Sequence, residues 1–135
     1  RGLGDVYKRQ LHPYLAQQFV VLMREVFAIP QALGVFGDDT KVIDPPGAPW
    51  SFGTWLSTPD EVALAGLRTV GEAQVATGQK VFPSMVQDIL AGRRTEVDTL
   101  AGGLIDRART CGVPLPATET CYRLLRGLES TFARA

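Results

Sequence analysis

Apolar residues between positions 11 and 33 recur at helical spacing. Leu15, Phe19, Leu22, Val26, Ile29 and Leu33 follow one another at alternating steps of four and three, which places them on one face of an α-helix. Pro30 falls inside this run. A proline there removes one backbone hydrogen bond and crowds the preceding turn, so a kink or a break is expected, with Gly34 as the stop. Residues 35–57 lose the periodicity. Pro45, Pro46, Pro49, Gly37, Gly47, Gly53, Asp38 and Asp39 mark a loop. Trp50, Phe52 and Trp55 lie within it. Large aromatics are costly to leave in water, so the loop should pack down, and its length makes it either functional or folded onto a partner.

Helical punctuation returns at Thr58-Pro59-Asp60-Glu61. Thr58 can cap, Pro59 suits the first helical position and Glu61 completes a capping box. This helix is expected to run to about Thr77 and stop at Gly78, burying Val62, Ala65, Val70 and Ala73. Pro83-Ser84-Met85 opens a short helix ending near Gly92. Thr95 is read as the cap of the next, with Asp98 as its partner and Glu96 suiting the positive helix end. Val97, Leu100, Ala101, Leu104, Ile105 and Ala108 form its apolar stripe, and Gly112-Val113-Pro114 stops it. A final helix from near Thr118 should turn Cys121, Leu124, Leu125, Leu128 and Phe132 inward. With no strand alternation in sight, the fold class is all-α, about five helices around one core.

Composition narrows the function classes. Lys+Arg and Asp+Glu both number 14, a formal net charge of zero. That lacks the basic footprint needed to neutralise nucleic-acid phosphates. Hydrophobic residues at 45% and charged residues at 21% describe a globular chain. No apolar run reaches the ~18–20 residues of a membrane span. Two cysteines, Cys111 and Cys121, make no disulfide framework and are read as reduced, pointing to a cytoplasmic protein. Residues 1–10 fit neither the helical pattern nor a helix start and are read as a non-native or unstructured leader, leaving 11–135 as the helical domain.

Generic catalytic patterns are missing. The single histidine, His12, has no cysteine or carboxylate at ligand spacing, so no metal site and no Ser/His/Asp set is expected. No glycine loop cradles a phosphate; Gly2 and Gly4 fall in the leader. Asp88 with Arg93 or Arg94 reads as a structural ion pair, and Trp50 and Trp55 as packing residues.

Three motifs in order change the picture. They are Ser84-Met85-Val86-Gln87-Asp88, then Gly92-Arg93-Arg94-Thr95-Glu96-Val97-Asp98, then Gly112-Val113-Pro114-Leu115-Pro116. Upstream stand Leu22-Met23-Arg24-Glu25-Val26 and Ala32-Leu33-Gly34-Val35. Together, over about 110 residues, they closely resemble the C-terminal region of ketopantoate reductases. The resemblance implies a helical bundle of the 6-phosphogluconate dehydrogenase C-terminal type. It also implies an enzyme that reduces 2-dehydropantoate to pantoate with NADPH, on the route to pantothenate and coenzyme A. In that family the active site lies between a Rossmann-type NADP domain and the helical domain. Carried over by motif, Ser84 contacts the 2-oxoacid substrate and Glu96 the cofactor.

Local physics is compatible with both roles. Ser84 begins a helix, where its hydroxyl and free N–H groups can meet a carboxylate. A carboxylate at Glu96 can accept from sugar hydroxyls. The plain alternatives are a helix-start serine and a carboxylate that only offsets a helix dipole, a contribution of about 0.3–1 kcal/mol. No catalytic residue is assigned within these 135 residues. The family's catalytic lysine and its accompanying asparagines lie upstream of the matched motifs, and Lys80 is not that lysine. The chain is therefore expected to be inactive without the NADP-binding domain. Pro83 replaces a residue that is usually serine, and residues 36–56 map onto no family feature, which leaves the identity of the 2-oxoacid open. Some members dimerise through the helical domain. The rival reading is a stand-alone helical interaction or dimerisation module without catalysis, docking through the aromatic loop and the apolar face of 15–33.

Overall fold

The computed structural model describes residues 12–35, 41–43, 50–51, 56–78 and 83–132. The leader 1–10, Phe52, Trp55 and Lys80 lie outside these residues, as does most of the expected aromatic loop. In chain order the elements are α1 (Pro13–Ala32), β1 (Lys41–Ile43), β2 (Trp50–Ser51), α2 (Asp60–Ala76), α3 (Ser84–Leu90), a π-helical turn (Asp98–Gly102), α4 (Gly103–Cys111) and α5 (Pro116–Glu129). The all-α class holds. One departure is the antiparallel pair β1–β2, which aligns Lys41 with Ser51 and Ile43 with Trp50 across an irregular register. Three and two residues are too few to display period-two alternation, so the pattern of apolar positions could not reveal them.

Helix α1 is the centre of the molecule. It packs against α2 and also against α4 and α5. Ala16, Val20 and Phe27 are buried with Ala63 and Leu67 of α2. Ile29 is buried instead with Ile105, Ala108 and Leu115. Two apolar clusters on two sides of one helix replace the single core expected. The buried positions 16, 20 and 27 also sit one residue out of phase with the expected stripe: Leu15, Phe19, Leu22 and Val26 are only half-buried and Leu33 is exposed. A helix sandwiched between neighbours hides more than one stripe, and the small Ala16, invisible to a count of large apolar residues, lets its neighbour approach closely.

Pro30 does not end α1, which continues to Ala32. The stop comes from Gly34, at φ +63°. Its N–H donates to the Gln31 carbonyl at 3.1 Å and the Val35 N–H to the Pro30 carbonyl at 3.1 Å. These paired bonds satisfy carbonyls that the helix end would otherwise leave open.

The start of α2 is secured differently from the expected capping box. No side-chain cap is made, and Pro59 precedes the first helical residue. Arg24 of α1 bonds both the Asp60 carboxylate and the Thr58 carbonyl. The inward face of α2 is Ala63, Leu67 and Gly71, not Val62, Ala65, Val70 and Ala73; Val62 is 55% exposed. In an alanine-rich helix two stripes have similar apolar content, and the one buried here carries Leu67, which packs with Ala16, Val20 and Phe27 of α1.

Candidate functional site

Ser84 is the first residue of α3, a seven-residue helix that buries none of its side chains. Pro83 fixes the entry, and its carbonyl accepts from the N–H groups of Val86 (3.0 Å) and Gln87 (3.1 Å). The Ser84 and Met85 amides precede the first intrahelical bond and have no carbonyl ahead of them. The Ser84 hydroxyl is exposed and caps nothing. At the far end, Gly92 adopts φ +65°, and Arg93 closes the turn. Its N–H donates to the Asp88 carbonyl at 2.8 Å, and its guanidinium to Asp88 Oδ1 at 2.8 and 3.1 Å. The expected ion pair is therefore made, by Arg93.

Glu96 is exposed, and its carboxylate makes no hydrogen bond or ion pair with the described residues, Ser84 included. The residues around it are held tightly. Thr95 donates its N–H (2.6 Å) and its hydroxyl (2.5 Å) to Glu129 Oε1 on α5. The same Thr95 hydroxyl oxygen accepts the Val97 N–H at 3.2 Å; this is a local turn bond and not the expected cap, since the helical segment takes Val97 as its N-cap and makes no side-chain cap bond. Val97 is almost fully buried. Asp98 is not a cap partner. Its Oδ1 accepts from the Tyr122 hydroxyl at 2.7 Å and pairs with Arg126 Nε at 3.2 Å. The π-helical turn follows at once, and Gly102 lies under the Tyr122 ring, where a Cβ would meet it at 3.8 Å. This wider turn shifts the phase of the apolar stripe. Ile105 and Ala108 stay buried, while Leu100 is exposed.

The face that α5 presents to this segment is polar. Tyr122, Arg126 and Glu129 follow at helical spacing, and Arg126 Nη1 donates to Glu129 Oε2 at 2.9 Å. The expected inward stripe is corrected accordingly: Leu124 is 68% and Leu128 43% exposed, and Cys121 and Leu125 are half-buried. Thr118, near which this helix was expected to begin, lies inside it, two residues after its start at Pro116. The Glu25 carboxylate of α1 accepts the N–H groups of Ala117 and Thr118, both at 2.7 Å, and the Thr118 hydroxyl at 2.6 Å.

These contacts shift the ionisable groups. Glu129 is held below the ordinary carboxylate range, first by the Thr95 hydroxyl and then by the Thr95 N–H, with Arg126 adding to both against the cost of burial. The Tyr122 hydroxyl is raised by its bond to Asp98, and Arg126 by its bond to Glu129. A carboxyl depressed in the folded state stabilises the fold fully above its unfolded value. That stability is lost as pH falls through the depressed value. Acid should therefore lower the urea midpoint of the wild-type chain more steeply than that of Glu129→Gln. Equal slopes for the two proteins would remove Glu129 from the acid response.

A shallow groove between α4 and α5 is lined by Asp106, Arg109, Glu119 and Arg123 among others. Its charges pair internally: Arg109 and Arg123 both reach Glu119, at 3.4 and 3.5 Å, and Arg109 also reaches Asp106 at 3.7 Å. Neither Ser84 nor Glu96 lines it. Cys111 and Cys121 are both unpaired, and no helix is long and apolar enough to cross a membrane among the described residues.

The family described as "Ketopantoate reductase PanE/ApbA C terminal" matches residues 3–129. The chain belongs to this family. The match begins inside the segment read as a leader and takes in all five α-helices of the described residues. Among curated proteins, the 2-dehydropantoate 2-reductase of Salmonella typhimurium is 32% identical over 69 residues, 51% of this chain and 23% of that enzyme. The 2-dehydropantoate 2-reductase of Yersinia pestis is 39% identical over 51 residues, 38% of the chain and 17% of the enzyme. That of Shigella flexneri is 37% identical over 59 residues, 44% of the chain and 19% of the enzyme. The chain thus aligns with about a fifth of the length of these relatives. No solved structure matches it.

Within this ketopantoate reductase segment, sequence reasoning singled out two groups that are exposed, Ser84 and Glu96, and passed over the long-range contacts that hold the residues beside Glu96 and the start of α5. Glu25, Tyr122, Arg126 and Glu129 were all absent from the expected site. One signal was available: Tyr122, Arg126 and Glu129 form a stripe of their own along the last helix. It was outscored by the leucines on another face.

Proposed function

We propose that these residues form the helical, substrate-facing part of an NADPH-dependent 2-dehydropantoate 2-reductase. Its opposite wall would be the NADP-binding domain that the family carries. The observation that supports this best is that the Ser84 hydroxyl and the Glu96 carboxylate are both exposed and both without a hydrogen-bond or ion-pair partner among the described residues. Each stands at the start of a helical segment.

In this reading Ser84 donates its hydroxyl hydrogen to the 2-oxoacid carboxylate and orients the ketone. Glu96 accepts hydrogen bonds from cofactor hydroxyls. NADPH, when bound, supplies the hydride. The proton for the ketone oxygen comes from a lysine of the family that the matched motifs do not include. The 135-residue chain alone is accordingly inactive. The enzyme would be cytoplasmic, and a homodimer through the helical domain is consistent with the family.

The test is steady-state kinetics on the complete protein that carries this segment. With NADPH and 2-dehydropantoate, Glu96→Gln should raise the KM for NADPH and Ser84→Ala the KM for the oxoacid. One charge-assisted hydrogen bond corresponds to about a tenfold change or more. Turnover by the 135-residue chain itself, or no effect of either substitution, would overturn the assignment.

A further inference from the structure

We propose that Glu129 is a positioning residue: through Thr95 it holds the backbone on either side of Glu96, so that the Glu96 carboxylate is already placed when the cofactor arrives. The inference rests on the cofactor role proposed for Glu96 and extends it to a residue 33 positions later in the sequence.

The geometry is a relay of short bonds. Glu129 Oε1 takes both Thr95 donors, at 2.6 and 2.5 Å. With its hydroxyl hydrogen committed to Glu129, the Thr95 oxygen is left as an acceptor, and it faces the Val97 N–H at 3.2 Å. The residues before and after Glu96 are thus fixed by one carboxylate. Glu129 is in turn fixed by Arg126 at 2.9 Å, and Arg126 reaches Asp98 at 3.2 Å. Every residue from 95 to 98 except Glu96 is bonded or buried by α5 and the core behind it. Glu129 is itself buried, 5% exposed. A buried carboxylate is costly unless its oxygens are satisfied; here Oε1 is satisfied by Thr95, next to the ligand group, and Oε2 by Arg126. A site carboxylate braced in this way loses little freedom on binding.

The test compares Thr95→Val, Glu129→Leu, Glu129→Gln and Glu96→Gln in the complete protein, with amide hydrogen exchange at Val97 as a second readout. Thr95→Val and Glu129→Leu should each raise the KM for NADPH about tenfold, with kcat within about twofold, because displacing a binding group by even an ångström is costly. Combining them should add little, since both cut the same path. Glu129→Gln keeps an acceptor oxygen for Thr95 and should recover most of the affinity. Val97 exchange should speed up in the first two variants and not in Glu96→Gln. Should Glu129→Leu fail to fold, Thr95→Val decides, because it leaves the Glu129–Arg126 bond in place. A raised KM in Glu96→Gln with none in Thr95→Val overturns the positioning role and leaves the cofactor role standing. So does a fall in unfolding midpoint without a change in KM. If Glu96→Gln itself leaves the KM unchanged, the cofactor role fails and the positioning role falls with it.

Discussion

Replacing Glu25 by alanine is expected to lower the unfolding free energy of the chain by about 2–4 kcal/mol, because three donors lose a charged acceptor at once. The Glu25 carboxylate takes the N–H groups of Ala117 and Thr118 at 2.7 Å and the Thr118 hydroxyl at 2.6 Å. Thr118 is buried, so its hydroxyl would find little water in exchange. An ordinary cap contributes about 0.5–2 kcal/mol. This one also ties α1 to α5 across more than 90 residues, so its loss loosens tertiary as well as local structure. Glu25→Gln keeps one acceptor oxygen and should fall between the two. The measurement is the urea midpoint at constant m-value. A shift below about 0.5 kcal/mol in Glu25→Ala would mean that solvent caps α5 as well as Glu25 does.

Leu67→Ala should cost about 2–5 kcal/mol, whereas Val62→Ala on the same helix should stay within about 0.5 kcal/mol. Leu67 lies in the cluster of Ala16, Val20, Phe27 and Ala63, where a truncated side chain leaves a cavity. Val62 is 55% exposed and leaves none. The pair tests the rotational setting of α2 directly. If the costs were reversed, α2 would face α1 with the stripe suggested by periodicity.

The helices were legible in the sequence because their signals are local. Gly34, Gly78, Gly92 and Gly112 were each read as stops, and all four adopt positive φ. Pro59 and Pro83 mark starts within a residue of where α2 and α3 begin. Periodicity alone did not resolve which face turns inward. On α5 it favoured Leu124 and Leu128, and both are exposed; the side facing residues 95–98 is polar, with its charges satisfied by one another. Ser84 and Glu96 were singled out through motif resemblance rather than through chemistry visible in their neighbours.

By itself, then, the sequence determined the glycine stops of the described helices, the all-α class and the family motifs, since each depends on residues within a few positions of one another. Only the tertiary structure decided the sides of α1 and α2 that are buried, the capping of α5 by Glu25 and the grip of Tyr122, Arg126 and Glu129 on the Glu96 segment. Those contacts join residues 24 to 93 positions apart. A hydrogen bond over such a separation leaves no periodic trace in the chain, because its partners meet only after the helices have packed.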